Sequence, residues 1–110
     1  MFVIAKKPAF WWSIQIKLLD DNNYSEGEFK GLFKNLGTQE FIDLMNDPNK
    51  HDLETLKTIL VGWVDLKLPD GSEVPFSEDK LIEFNDIIGF TASVLRSYYT
   101  ALNGAARIKN

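Results

Sequence analysis

Phe10-Trp11-Trp12-Ser13-Ile14-Gln15-Ile16-Lys17-Leu18-Leu19 decides how this chain is read. Trp12, Ile14, Ile16 and Leu18 fall on one side, and Ser13, Gln15 and Lys17 on the other. That period of two belongs to a half-buried strand. Asp20 to Glu26 then reads as a polar loop, and Gly27 to Leu36 alternates again, with Phe29, Gly31 and Phe33 set against Glu28, Lys30 and Lys34. Two such segments joined by a polar loop of about seven residues predict an antiparallel hairpin. A hairpin alone is marginal in water, so a covering layer is expected.

The remainder has helical spacing. Thr38 can cap a short helix through Asn46, with Phe41, Leu44 and Met45 inward, and Asp47-Pro48-Asn49 stops it. Asp52 can cap the next helix, whose stripe is Leu53, Leu56, Leu60 and Trp63. From Gly62 to Ser77 the chain makes an extended excursion. Pro69-Asp70-Gly71 supplies its turn, because Pro presets φ, Asp bonds back to the backbone and Gly tolerates positive φ. Ser77 is an N-cap for a third helix to Asp86 carrying Leu81, Ile82 and Phe84, with Glu78 and Asp79 at its positive end. Trp63 and Phe76 bracket the excursion and are assigned to the core. A last helix, Ile87 to Asn103, offers Ile87, Phe90, Val94, Tyr98 and Leu102, with Gly104 as its C′ residue and 105–110 as a loose tail.

Strands first and helices after give an α+β fold: a small N-terminal antiparallel β-hairpin or three-stranded sheet packed against about four short helices. The whole of 1–110 reads as a single domain, with strands over about 10–36, helices over about 38–103 and a tail from 104. A doubly wound nucleotide fold is not expected, because no βαβ pattern occurs.

The 45% hydrophobic and 25% charged content belongs to a folded domain rather than a disordered one. The sequence has no cysteine, which removes disulfides, thiolate zinc sites and a thiol nucleophile, and fits a reducing compartment. Neither a signal peptide nor a transmembrane span is expected, since Met1 to Ala5 is a short apolar run followed by Lys6, Lys7 and Pro8. The net charge of −4 is unevenly spread. All sixteen acids fall between Asp20 and Asp86, while residues 1–19 and 87–110 carry only cations. Basic ends folded against an acidic middle account for this; a basic terminal surface offered to an acidic partner is the sharper alternative. Nucleic-acid binding is not expected, because no basic stripe is interleaved with aromatics.

Reaction chemistry finds little to work with. His51 is the sole histidine and sits in the polar turn Asn49-Lys50-His51-Asp52, where solvated histidines are common. No Gly-x-Ser-x-Gly elbow or phosphate-binding glycine loop is present. The acidic loop Asp20 to Glu26 lacks the mid-loop glycine and twelfth-position glutamate of a calcium loop. No catalytic residue, metal or cofactor is therefore expected, and the chain reads as a non-enzyme.

Aromatic residues demand another explanation. They number fourteen, and Phe10-Trp11-Trp12 is the densest cluster. A half-buried strand hides Trp11 or Trp12 on one face, not both. Either Phe2-Val3-Ile4 folds back as a third strand over the other ring, or that ring marks a contact surface beside Phe10. Tyr98 and Tyr99 pose the same question on the last helix, one facing the core and the other its rim.

The Phe10-Trp11-Trp12 opening, the strand Phe29-Lys30-Gly31-Leu32-Phe33, Val61-Gly62-Trp63, the Asp70-Gly71 turn, Val74-Pro75-Phe76-Ser77, and a last helix with Tyr98 and Ala101-Leu102 occur in an order that resembles the small tail assembly chaperones of long-tailed bacteriophages and prophages. The chain departs from that family in its more apolar lead-in, Met1 to Lys7, and in an Asp/Asn loop where a Pro-containing one is usual. The resemblance implies a non-enzymatic protein of the host bacterial cytoplasm that holds the tape measure protein soluble during virion morphogenesis, with the tail tube protein as a second partner. Phe10, Trp11 and Tyr99 are the expected contact residues on the exposure argument, with Arg107 and Lys109 as a secondary basic surface. The alternatives are a structural tail or head-tail component retained in the virion, and a small regulatory binding protein of a mobile element.

Overall fold

The computed structural model describes residues 1–48 and 52–106. Two long strands, β1 (Ala9–Asp20) and β2 (Asn23–Lys34), form the antiparallel hairpin, followed by α1 (Thr38–Asn46) and α2 (Asp52–Ile59). A third strand, β3 (Leu60–Val64), then completes a sheet of order β1-β2-β3, and α3 (Glu78–Asn85) and α4 (Phe90–Ala106) close the fold. The α+β class with N-terminal strands is as expected.

The hairpin is tighter than its polar sequence suggests. Asp20 pairs with Asn23, leaving only Asp21 and Asn22 in the turn. Asp21 takes the left-handed φ of 49° that an Asp tolerates better than most residues. The predicted seven-residue loop is thus mostly strand.

The third strand is Leu60–Val64, not Phe2–Ile4, which lies outside any strand and is exposed. It replaces the predicted last turns of the second helix, which ends at Ile59. Phe33 pairs with Leu60 and Leu32 with Gly62, so Val61 is an extra residue in a β-bulge. The bulge sends both Leu60 and Trp63 inward although they are three apart. That spacing imitates a helical stripe.

The Pro69-Asp70-Gly71 turn forms as expected. Gly71, at φ 88°, donates its N–H to Leu68 O (2.9 Å), and Asp70 Oδ1 accepts from the Ser72 N–H and hydroxyl. Those two bonds hold the Asp70 carboxyl below its usual range. Trp63 reaches across the excursion, donating Nε1–H to Val74 O (2.7 Å) while Phe76 packs edge-on against its ring (4.7 Å). Both belong to the core, as the sequence indicated.

Ile14, Phe29 and Phe33 of the sheet meet Leu56, Ile59, Leu81, Phe84, Phe90, Val94 and Tyr98 of the helices. Phe29 stacks on Phe90, and Phe33 meets the Tyr98 ring at 4.9 Å. Ser77 caps α3 as expected, its Oγ accepting from the Lys80 N–H (3.1 Å). Several helix positions differ from the expected ones. Gly37, not Thr38, caps α1, its N–H donating to the Glu40 carboxylate. Met45 and Ile82 are exposed, because these short helices bury a narrow stripe against the core. Ile87 is exposed because α4 starts at Phe90 rather than at Ile87, which leaves Ile87 in the turn before it. Gly104 lies inside α4, which continues to Ala106, so the predicted tail begins too early.

α4 also closes an edge. The register makes β1 a sheet edge, and its Gln15 and Lys17 N–H groups point away from β2. They donate to Ser97 Oγ and Ser93 Oγ, both at 3.1 Å. A helix covering an edge strand satisfies donors that would otherwise template aggregation. Replacing both serines with alanine is expected to lower the unfolding free energy by about 2 kcal/mol. Urea unfolding checks the size of the loss, and faster hydrogen exchange at Gln15 and Lys17 checks its location.

Candidate partner-binding surface

The helices cover one face of the sheet, where Ile14, Phe29 and Phe33 are buried. The odd-numbered residues of β1 therefore line the other, open face, an arrangement common for antiparallel sheets. Reading across the registers, one row of that face is Trp11, Leu32 and Gly62, and the next is Ser13, Lys30 and Val64. Trp11 is 53% exposed and Val64 44%, with Leu32 half-buried between the strands. Gly62 adds no side chain, so the strip beside the Trp11 ring opens onto Leu32.

Toward the hairpin tip the same face turns polar. Ser13 donates to Glu28 Oε2 (2.8 Å), Gln15 to Ser13 Oγ (3.3 Å), and Lys17 Nζ lies 4.5 Å from the centre of the Tyr24 ring. An apolar strip with a charged flank is the anatomy of a modest protein interface.

Among the described residues, the expected contacts Phe10, Trp11 and Tyr99 do not share one face. Phe10 points to the helix side, half-buried, with its ring 5.8 Å from Phe33 and 6.4 Å from Trp12. It packs against the core cluster from its partly buried position. Tyr99 lies on α4, across the sheet from Trp11, half-buried with rings of Phe41 and Tyr98 about it. Arg107, Lys109 and His51 lie outside the described residues.

Trp12 shares the inward side of β1 yet is 42% exposed, contrary to the alternation. Its partner across the ladder is Gly31, and Ile14 and Leu60 fill the space where a Gly31 side chain would stand. Trp12 is left at the rim, edge-on to Phe10. Leu32 and Val64 escaped sequence reasoning, since their place beside Trp11 depends on β3.

No family model, curated protein or solved structure matches this chain. Among the described residues, no helix is long and apolar enough to cross a membrane, and no group of three or more His, Asp or Glu could hold a metal ion.

A groove of about 270 Å³ beside α1 holds Lys34 near Glu40 and Asp43, and its one hydroxyl, Thr58, donates to Glu54 O within its own helix. Asp47 lines the groove as well, so acids outnumber the one cation there. Burial pushes the Tyr98 phenol up to about 12, and its hydroxyl donates to Lys34 O (3.1 Å). This is a structural role. In the unfolded chain Tyr98 ionises near pH 10, so the stability it confers is intact below that pH and is lost as pH rises from 10 toward 12. Tyr98→Phe is expected to cost about 1 kcal/mol at neutral pH and to flatten the alkaline decline. Unfolding curves across that range, alongside tyrosinate absorbance, provide the check.

Proposed function

We propose that this chain is a non-enzymatic tail assembly chaperone of a bacteriophage or prophage, binding the tape measure protein in the host cytoplasm while the tail is built. The observation that carries the reading is the Trp11 ring standing on an uncovered sheet face beside Leu32 and Val64. The order of sequence landmarks, from Phe10-Trp11-Trp12 to Tyr98 and Ala101-Leu102, supports the choice of family.

The partner's chemistry fits that surface. A tape measure is a long, largely helical chain with apolar stripes, which must be kept from self-association until tube subunits enclose it. One stripe laid across Trp11 and Leu32 buries apolar area on both molecules, while the acidic body of the chaperone keeps the complex soluble. The contact is small, which suits a holder that must leave. The open face serves in this role, and the tail tube protein succeeds it on the same partner.

Mass spectrometry of purified virions tests the assignment. The chain is expected in infected-cell lysate and absent from finished particles. Its presence in particles at ring stoichiometry would make it a structural component and overturn the chaperone reading.

A further inference from the structure

We infer that the open sheet face also pairs with a second copy of this chain, face to face about a two-fold axis along the strands. The registers give the rows of that face: Trp11 beside Leu32, Ser13 beside Lys30, Gln15 beside Glu28, Lys17 beside Glu26, and Leu19 beside Tyr24. Apolar residues gather at its two ends. Leu19 and Tyr24, 58% and 55% exposed, stand at the hairpin tip, and Trp11 with Leu32 at the other end. The middle is charged, and its charges are sorted by side.

α4 adds to that sorting. Ser93 and Ser97 hold the helix to the free edge of β1, while Val94 and Tyr98 turn into the core. Arg96 lies on the other side of those serines, toward the open face. It lines one groove of about 380 Å³ together with Gln15, Lys17, Glu26 and Glu28. The cations belong to the β1 side of this groove and the carboxylates to β2. Among the described residues, neither Arg96 nor Glu26 forms an ion pair, and Lys17 lies over the Tyr24 ring.

The face is its own complement. A two-fold axis along the strands exchanges left and right but keeps each row at its own height, so β1 of one copy lies over β2 of the other. Lys17 and Arg96 then meet Glu26 and Glu28 in both halves of the interface. Trp11 meets Leu32, and Leu19 meets Tyr24, with the bare Gly62 leaving room beside the indole. An axis across the strands, centred on the face, would instead set Glu28 against Glu28. The face is about 40 Å long and about 10 Å across, so two copies bury on the order of 1,000 Å². That is the lower end for a specific interface, and association in the micromolar range is expected. The dimer keeps the Trp11 strip covered until another apolar chain displaces the second copy. That role rests on the proposed function, whereas the pairing itself does not.

Sedimentation velocity over a concentration series tests it on the purified chain. The variants are Trp11→Asp, an acidic form (Lys17→Glu with Arg96→Glu) and a basic form (Glu26→Lys with Glu28→Lys). All five positions are exposed, so circular dichroism should show the wild-type fold. The wild-type protein is expected to dimerise as concentration rises, less so in added salt. Each variant alone should weaken dimerisation about tenfold or more, since like charges or a buried carboxylate then face each other. An equimolar mixture of the acidic and basic forms should dimerise again, and Trp11→Asp placed in both should abolish that recovery. A wild-type protein that stays monomeric throughout, any variant that dimerises undiminished, or a mixture no stronger than its components would each overturn the proposal. No tape measure enters these measurements, so their failure and the failure of the chaperone reading are told apart.

Discussion

Gly89→Ala is expected to lower the unfolding free energy by about 3 kcal/mol or more, a large part of the roughly 5–15 kcal/mol that holds a domain together. Two effects add. Gly89 adopts φ 99°, where an L side chain is strained by about 1–3 kcal/mol. A Cβ there would also strike the carbonyl oxygen of Lys17, which is strand backbone and cannot swing aside. Relief would push the start of α4 off β1, loosening the serine contacts to Lys17 and Gln15. Gly104→Ala makes the opposite control. Gly104 lies inside α4 with open space around it, so alanine there is expected to stabilise the protein by about 0.5–1 kcal/mol. Urea denaturation of both variants reads the two signs directly.

Trp11→Ala is expected to leave the fold intact and weaken binding of the tape measure protein by about 30-fold. That corresponds to the roughly 2 kcal/mol of an aromatic anchor at the centre of an interface. The ring is half-exposed in the free protein, so its loss costs the core little. Its neighbours give contrasting outcomes. Phe10→Ala should reduce stability, since Phe10 packs against Phe33 on the helix side. Tyr99→Ala should leave binding unchanged, since Tyr99 sits across the sheet among Phe41 and Tyr98. Titration of a tape measure fragment against the three variants separates interface from scaffold.

Where sequence periodicity matched geometry, the fold was legible. The alternation of Ile14, Ile16 and Leu18 placed β1, and Ser77 placed the start of α3. Pro69-Asp70-Gly71 placed the turn in the excursion. Reading failed at Leu60 to Trp63, where the bulge at Val61 turns both large residues inward at a spacing of three. A period-two pattern is absent from that segment and a helical one is present, so β3 has the sequence spacing of a helix end.

The candidate surface inherits the same error. Trp11 could be singled out from its place in the strand, but Leu32, Gly62 and Val64 become its neighbours only once β3 joins the sheet. Trp12 was misplaced for a different reason. Alternation gives the direction of a side chain, not whether anything stands over it, and Gly31 leaves its ring at the rim. Phe10 and Tyr99 could not be separated from Trp11 without knowing on which side of the sheet α4 lies.

Co-expression with the tape measure protein tests the central claim most directly, namely that this chain acts by lending exposed apolar surface to another polypeptide. The soluble fraction of the tape measure is measured with the wild-type chain, with Trp11→Asp and with no partner. A soluble complex with wild type, and a return to the no-partner level with Trp11→Asp, are expected. A tape measure that stays insoluble beside the wild-type chain, or one rescued equally by Trp11→Asp, would contradict it.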